Sequence, residues 1–204
     1  MKKFLTSRTV LILVLVVGLG FAIFYVVDVD TLANGNRLEL DRLFEEMLIL
    51  KVPDVSDPLE IRLKDINNKD VSISDFRDKI VFLNFWTTWC PTCRIEMPSM
   101  EKLHQKLKNR DFAMVTINLQ ESADRVKNFF KEYKLSFTAL LDTAGEVGAI
   151  FSIYQIPTTY ILDKEGRIIG KAVGPREWDS KKSISLFEYL IDRYAASSES
   201  ESMN

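Results

Sequence analysis

The two cysteines of the chain, Cys90 and Cys93, are the residues whose type and spacing are best suited to chemistry. A structural zinc site normally uses four nitrogen or sulfur ligands, whereas this chain has two cysteines and one histidine. As a structural disulfide, the pair would close so short a loop that it stabilises the fold by only about 2 kcal/mol. Thiol–disulfide exchange is therefore the chemistry that the pair predicts.

The cysteines stand where a strand is predicted to end and a helix to begin. Residues 79–86 read KIVFLNFW, a nearly continuous apolar run typical of a strand buried on both faces. The free N–H groups at a helix N-terminus favour a thiolate at Cys90, and Pro91 suits the first helical turn. Cys93 follows one turn later on nearly the same side. We therefore expect Cys90 to attack a disulfide and Cys93 to resolve the mixed disulfide.

Glu96 follows Cys93 by three residues and so lies on the same flank of the predicted helix. A carboxylate at this position could accept the proton of Cys93 when that thiol attacks. The residues alone leave a second interpretation open, in which Glu96 is a solvated charge on the helix surface.

Strands and helices alternate along the part of the chain that contains the cysteines. The apolar patterns predict strands over 59–64, 71–73, 79–86, 112–119, 158–162 and 167–173, and helices over about 91–107, 123–133 and 180–194. Strand–helix alternation followed by a hairpin and a final helix predicts an α/β fold with a central mixed sheet flanked by helices.

The N-terminal segment predicts a membrane anchor. Residues 1–9 carry Lys2, Lys3 and Arg8, and residues 10–27 form an apolar run just long enough for a transmembrane helix. Basic residues before the run and acidic residues after it predict a cytoplasmic N-terminus with the rest of the chain outside. A cleaved signal peptide is the alternative, and it also places the domain outside the cytoplasm.

The remaining boundaries follow from composition. Residues 28–57 are predicted to be a linker with a turn at Asn34-Gly35-Asn36 and, after it, a short amphipathic helix before Pro53. Residues 58–194 are predicted to be the folded domain and residues 195–204 a disordered tail. The charge is nearly balanced, with 27 basic and 29 acidic residues, and shows no long block of one sign. We therefore expect no nucleic-acid partner.

The segment FWTTWCPTCRIEMP at residues 85–98 resembles the signature of the TlpA/ResA/CcmG family of membrane-anchored, thioredoxin-like thiol-disulfide oxidoreductases. The resemblance extends over about residues 58–192 and includes Ile156-Pro157-Thr158-Thr159 and the turn at 162–166. It implies a thioredoxin-like fold, and it implies that Ile156 and Pro157 form a cis-proline loop that binds an extended substrate peptide. It also implies that Glu96 is functional. Trp89 flanks the cysteines in the sequence, and we expect it to shield them or to form part of the docking surface. Classical thioredoxins have a buried acid where this chain has Asn84, which cannot titrate. This departure supports Glu96 or water as the proton route and argues against the behaviour of a cytosolic thioredoxin.

The resemblance implies a reductase of protein disulfides outside the cytoplasm. It implies apocytochrome c as a substrate in cytochrome c maturation, and re-reduction by a membrane thiol electron donor. A thiol oxidant or isomerase of the same fold is one alternative, and a copper-delivery protein without turnover is another. We expect no cofactor and no resident metal.

Overall fold

The computed structural model describes residues 12–18, 21–27, 29–52 and 57–201. The chain divides into two compact units, residues 1–42 and residues 43–204. The predicted domain boundary at residue 58 therefore moves toward the N-terminus, because Leu43, Phe44 and Met47 are buried within the second unit.

The first unit begins with an antiparallel pair of strands, β1 (Ile12–Gly18) and β2 (Phe21–Val27), followed by the helix α1 (Val29–Glu46). The two strands stand in place of the transmembrane helix predicted over residues 10–27. The β-branched valines and isoleucines of this run favour strands as readily as an apolar helix, so its sequence alone does not separate the two. No helix among the described residues is both long and apolar enough to span a bilayer.

The second unit is built on a mixed sheet of eight strands in the order β3-β10-β9-β6-β7-β8-β4-β5. The strands are β3 (Leu50–Lys51), β4 (Arg62–Asp65), β5 (Asp70–Ser72), β6 (Ile80–Trp86), β7 (Phe112–Leu119), β8 (Thr138–Asp142), β9 (Thr158–Leu162) and β10 (Ile168–Val173). The neighbours β6, β7 and β8 run parallel, and the other pairs are antiparallel. This is the thioredoxin-like mixed sheet that the sequence resemblance implied.

The helices of the second unit lie against this sheet. They are α2 (Pro91–Leu107), α3 (Ala123–Tyr133), α4 (Glu146–Ile150) and α5 (Lys181–Glu201), with a single 3-10 turn at Ile73–Phe76. The predicted bounds of α2 and α3 are confirmed, whereas β8 and α4 were not predicted. The helix α5 continues to Glu201 across most of the predicted disordered tail, because Ala195, Ala196 and the glutamates that follow are compatible with a helix.

Strand β6 is the centre of the core. All seven of its residues are buried, and it pairs with β7 on one side and β9 on the other. Phe82 contacts Trp178 and Phe187 on one face, while Phe85 contacts Phe151 and Tyr160 on the other. A strand packed on both faces has little freedom to shift, so its C-terminal end at Trp86 fixes where the cysteine segment begins.

The linker prediction is changed by α1. The turn predicted at Asn34-Gly35-Asn36 lies inside this helix, which runs from Val29 to Glu46. Its C-terminal part packs as the amphipathic pattern predicted, since Leu43, Phe44 and Met47 are buried while Leu48 is exposed. Within the second unit, Phe44 lies over Gly170 of β10, where an added Cβ would come within 3.2 Å of its ring.

Candidate active site

The cysteine pair lies at the junction predicted from the sequence. Cys90 is the N-cap of α2, and the backbone N–H of Cys93 donates a hydrogen bond of 3.1 Å to Cys90 Sγ. The two residues form a disulfide with a Cα–Cα distance of 5.3 Å. The capping atom is Cys90 Sγ. The Cys93 N–H at the start of α2 therefore points at the sulfur that becomes a thiolate when the disulfide is reduced.

The two sulfur-bearing residues differ in accessibility. Cys93 has no exposed surface, whereas Cys90 retains 4% and is followed by the exposed residues Pro91 and Thr92. The Thr92 hydroxyl lies 3.3 Å from Cys90 Sγ. The pair is therefore asymmetric, with Cys90 as the sulfur that an incoming partner meets.

The segment Ile156–Pro157 lies beside Cys90, as the resemblance implied. The peptide bond between the two residues is cis, and the Ile156 carbonyl oxygen lies 3.8 Å from Cys90 Sγ. Ile156 is partly exposed while Pro157 is buried, so Ile156 borders the surface next to the disulfide.

Glu96 is buried, which contradicts the interpretation as a solvated helix charge. It is 1% exposed, and its carboxylate accepts hydrogen bonds from Asn84 Nδ2 at 3.0 Å, Trp178 Nε1 at 3.0 Å and the Arg176 backbone N–H at 3.3 Å. Burial raises the pKa of Glu96 from 4.5 to about 7, although the hydrogen bonds from Trp178, Arg176 and Asn84 act in the opposite direction. Glu96 can therefore bind or release a proton near neutral pH, one helical turn from Cys93.

Asn84 connects Glu96 to the sheet. Its Nδ2 group also donates to Thr159 Oγ1 at 3.0 Å, across the β6–β9 pair in which the two residues are register partners. Asn84 therefore holds the carboxylate of Glu96 from the position where classical thioredoxins have an acid. A polar residue inside the apolar run of β6 was the sequence signal for this contact.

A second buried carboxylate, Glu121, holds the segment before the cysteines and was missed in the sequence. It accepts hydrogen bonds of 2.6 Å from both the backbone N–H and the hydroxyl of Thr88, and one of 2.8 Å from Asn118. Arg125 binds Glu121 at 2.9 Å and Thr88 Oγ1 at 2.9 Å. Because β6 and β7 are parallel neighbours, the residues that follow both strands meet at one edge of the sheet, and this was the available signal.

An open groove lies beside Trp89 and Ile156. It encloses about 390 Å³ and is lined by Thr87, Trp89, Leu119, Gln120, Ile153, Tyr154, Gln155 and Ile156. Trp89 is 62% exposed and Tyr154 is 90% exposed, so two large aromatic side chains border the groove without being packed into the core. The structure thus places all six predicted site residues, Cys90, Cys93, Glu96, Trp89, Ile156 and Pro157, in or around one region at the start of α2.

Two further residues belong to the surroundings of Glu96. Trp178 is fully buried and donates to Glu96. Arg176 was not predicted to contribute to the site. Within the described ranges, no group of three or more histidine, cysteine, aspartate or glutamate side chains is placed to hold a metal ion.

Comparison with known proteins agrees with this geometry. The model of the redoxin family matches residues 50–187. The thiol-disulfide oxidoreductase ResA of Bacillus subtilis is 31% identical over 175 residues, which cover 85% of this chain and 87% of that protein. A ResA of Bacillus thuringiensis is 36% identical over 126 residues, which cover 62% of this chain and 70% of that protein.

Solved structures show the same fold. The structure of StoA from Bacillus subtilis is 30% identical, covers 63% of this chain and 97% of its own, and superposes with a TM-score of 0.55. A thiol:disulfide interchange protein DsbE from Chlorobium tepidum, at 24% identity, covers 67% of this chain and 96% of its own with a TM-score of 0.61 and supports the fold alone. With a cysteine pair at the N-terminus of α2 and relatives of this kind, the chain belongs to the redoxin family and is a thiol-disulfide oxidoreductase of thioredoxin-like fold.

Proposed function

We propose that this protein reduces disulfides in other proteins. The observation that carries the proposal is the asymmetry of the cysteine pair, in which the Cys93 N–H points at Cys90 Sγ while Cys93 itself is inaccessible. In the reduced protein, that N–H group and the N-terminal end of the α2 dipole stabilise a thiolate on Cys90.

The first step joins the protein to its substrate. The Cys90 thiolate attacks one sulfur of a substrate disulfide, a new S–S bond forms, and the other substrate sulfur leaves as a thiolate that takes a proton from solvent. The groove beside Ile156 supports this step, because its backbone groups and the exposed Trp89 can contact an extended segment on either side of the substrate cysteine.

The second step releases the substrate. The Cys93 thiol gives its proton to the Glu96 carboxylate and attacks Cys90 Sγ, which re-forms the disulfide seen here and frees the second substrate thiolate. Two electrons have then passed from the cysteine pair to the substrate. The pKa of about 7 suits Glu96 to this role, because an acceptor that titrates near neutral pH exchanges its proton easily in both directions.

The proposed location is the outer side of the cytoplasmic membrane. Three basic residues precede the apolar run at 10–27, and Asp28 and Asp30 follow it. This arrangement of charges about an apolar run supports an external domain both for a retained anchor and for a cleaved signal peptide. We expect the full-length protein to resist alkaline extraction from membranes. In intact cells treated with a reductant, we expect Cys90 to react with an impermeant thiol reagent.

The proposed pathway is cytochrome c maturation, with the paired haem-binding cysteines of an apocytochrome as substrate and a membrane thiol protein as electron donor. The support is the resemblance of residues 85–98 and the similarity to ResA proteins. A Cys93→Ala variant stops after the first step and accumulates the mixed disulfide. Trapped apocytochromes would support the pathway, and a trapped set of unrelated envelope proteins would contradict it.

The direction of electron flow is tested by insulin reduction and by the reduction potential. We expect the reduced full-length protein to reduce insulin, with Cys90→Ser inactive and the exposed substitution Ile95→Ala unchanged. A potential as oxidising as that of DsbA, about −120 mV, would overturn the reductase proposal in favour of an oxidant or isomerase. Stoichiometric Cu(I) binding without insulin reduction would favour copper delivery.

A further inference from the structure

Arg176 lies in the loop after β10 and uses its guanidinium group as a clamp. It donates to the carbonyl oxygens of Met47 at 2.8 Å, Leu48 at 2.7 Å, Val173 at 3.1 Å and Gly174 at 2.8 Å. Met47 and Leu48 directly follow α1, and their N–H groups donate to the carbonyl oxygens of Leu43 and Glu45 in the last turn of that helix, at 3.3 Å and 3.0 Å. One side chain therefore ties two stretches of backbone together that are more than a hundred residues apart in sequence.

The backbone of the same residue binds the buried carboxylate. The Arg176 N–H and Trp178 Nε1 both donate to Glu96 Oε2, at 3.3 Å and 3.0 Å. The hydroxyl of Ser99 joins the helix to this loop, since it lies 2.8 Å from the Glu96 carbonyl oxygen and accepts from the Trp178 N–H at 3.1 Å. Two of the three groups that donate to the Glu96 carboxylate thus belong to the short loop that the guanidinium group holds in place.

We propose that Arg176 is a positioning residue for the redox reaction, which holds the loop that binds Glu96 and so couples the backbone after α1 to the proton-accepting group. The proposal rests on the proposed function in one respect, namely the role of Glu96 as proton acceptor.

Arg176 also affects the pKa of Glu96 through its charge, in the same direction as the hydrogen bonds that its loop donates to the carboxylate. The neighbours from the sheet, the loop and the helix are uncharged, namely Asn84, Trp178 and Ser99, and Cys93 on the same helix is in the disulfide. Glu177, next to Arg176 in the loop, is exposed. The guanidinium group of Arg176 acts on the carboxylate through its charge and lowers the pKa of Glu96, against the larger effect of burial.

The experiment is a carboxyl 13C NMR titration of Glu96 in the oxidised full-length protein, with the resonance assigned by its absence in Glu96→Gln. Arg176→Gln loses both the clamp and the charge, and we expect the Glu96 midpoint to rise by about half a pH unit or more. Arg176→Lys keeps the charge but cannot bind several carbonyls in a fixed fork, so we expect a smaller rise. The pH profile of mixed-disulfide resolution should shift in the same direction.

Arg167→Gln is the matched control. Arg167 also makes several hydrogen bonds through its guanidinium group, to Asp163 and Glu165, but at the opposite end of β9. We expect this variant to leave the Glu96 midpoint unchanged. An equal shift in Arg167→Gln would show a general loss of stability and overturn the proposal.

An unchanged pH midpoint of Glu96 in Arg176→Gln would also overturn the proposal that Arg176 positions the loop. If that variant does not fold, Arg176→Lys decides the matter, because an unchanged midpoint there removes the positioning role. The titration needs no substrate, so it separates the two proposals. A wild-type protein that fails to reduce insulin contradicts the proposed function, whereas the shift in the Glu96 midpoint still tests the role of Arg176.

Discussion

Replacing Glu96 by glutamine should remove a pH dependence of stability that the wild-type protein has. The carboxylate is fully buried, and burial raises its pKa from 4.5 to about 7. The folded protein therefore binds this proton more tightly than the unfolded chain does. The resulting stability is present in full below pH 4.5 and is lost as the pH rises through about 7.

The magnitude follows from the size of the shift. Each pKa unit corresponds to about 1.4 kcal/mol, so a shift from 4.5 to about 7 predicts a loss of about 3 kcal/mol between pH 4.5 and pH 8. Glutamine does not ionise, and its amide can be accommodated. Asn84 Oδ1 is buried and has no hydrogen-bond partner among the described residues, so it can accept from this amide after a flip of the Asn84 amide. Glu96→Gln should therefore fold and lack this decrease.

The assay is urea unfolding of the oxidised protein at several pH values, with the difference between wild type and Glu96→Gln taken at each pH. Burial lowers the pKa of His104, so the titration of this residue makes the protein more stable as the pH rises. This contribution is common to both proteins and cancels in the difference. Glu132→Gln, at an exposed position of α3, is the control and should behave as wild type. If the wild type loses no more stability than Glu96→Gln over this range, the buried carboxylate is not held in the unfavourable environment described here.

Three further predictions concern the cysteines and their surroundings. Cys93→Ala should accumulate a mixed disulfide that gel electrophoresis detects without reductant, and Cys90→Ala should form none. Trp89→Ala should change the free energy of unfolding by less than about 0.5 kcal/mol, because the side chain is exposed, yet lower kcat/KM for a protein disulfide and leave reduction of a small aromatic disulfide unaltered. Glu121→Leu should destabilise the protein by about 1–3 kcal/mol, since it leaves the buried N–H of Thr88 without an acceptor, as measured by chemical unfolding.

Each of these has an outcome that contradicts it. A mixed disulfide formed by Cys90→Ala would show that Cys93 can be attacked directly. If Trp89→Ala lowers kcat/KM equally for protein and small-molecule disulfides, then Trp89 affects the reactivity of the Cys90 sulfur and not the docking of a protein substrate. For Glu121→Leu, the control is Glu146→Leu, and equal stability of the two variants would show that the hydrogen bonds to Thr88 contribute nothing.

The parts of the fold that were predictable are those in which neighbouring residues determine the structure. The buried run of β6, Pro91 at the start of α2 and the spacing of Cys90 and Cys93 all lie within fifteen residues, and together they located the reactive sulfur. The apolar periodicity of α3 likewise gave its bounds. Local pattern was sufficient there because tertiary packing and intrinsic preference agree.

The partners of Glu96 and Thr88 were not predictable, because they depend on strand order. Trp178 and Arg176 follow β10, which reaches Glu96 only through the sheet order β10-β9-β6. Glu121 approaches Thr88 because β7 pairs with β6 in parallel. A glutamate in a helix carries no sign of whether a distant loop will cover it, and so the interpretation of Glu96 from the residues alone remained open.

The secondary structure of the N-terminal run is hard to predict for a different reason. Its valines and isoleucines are compatible with both a strand and an apolar helix. Whether water or lipid surrounds the run determines which of the two forms. Predicting α1 as a short helix after Asn34-Gly35-Asn36 was wrong because a local turn signal was given more weight than the helix-forming residues on either side.

Because Cys93 is buried, the protein must react with its electron donor and its substrate one after the other. Since only Cys90 can be reached from outside, the molecule that loads the pair with electrons and the molecule that removes them must use the same sulfur and the same strip of surface beside Ile156. The two can never be bound together, so turnover alternates between them. Such a protein should show double-displacement kinetics, in which each partner at high concentration inhibits the half-reaction of the other.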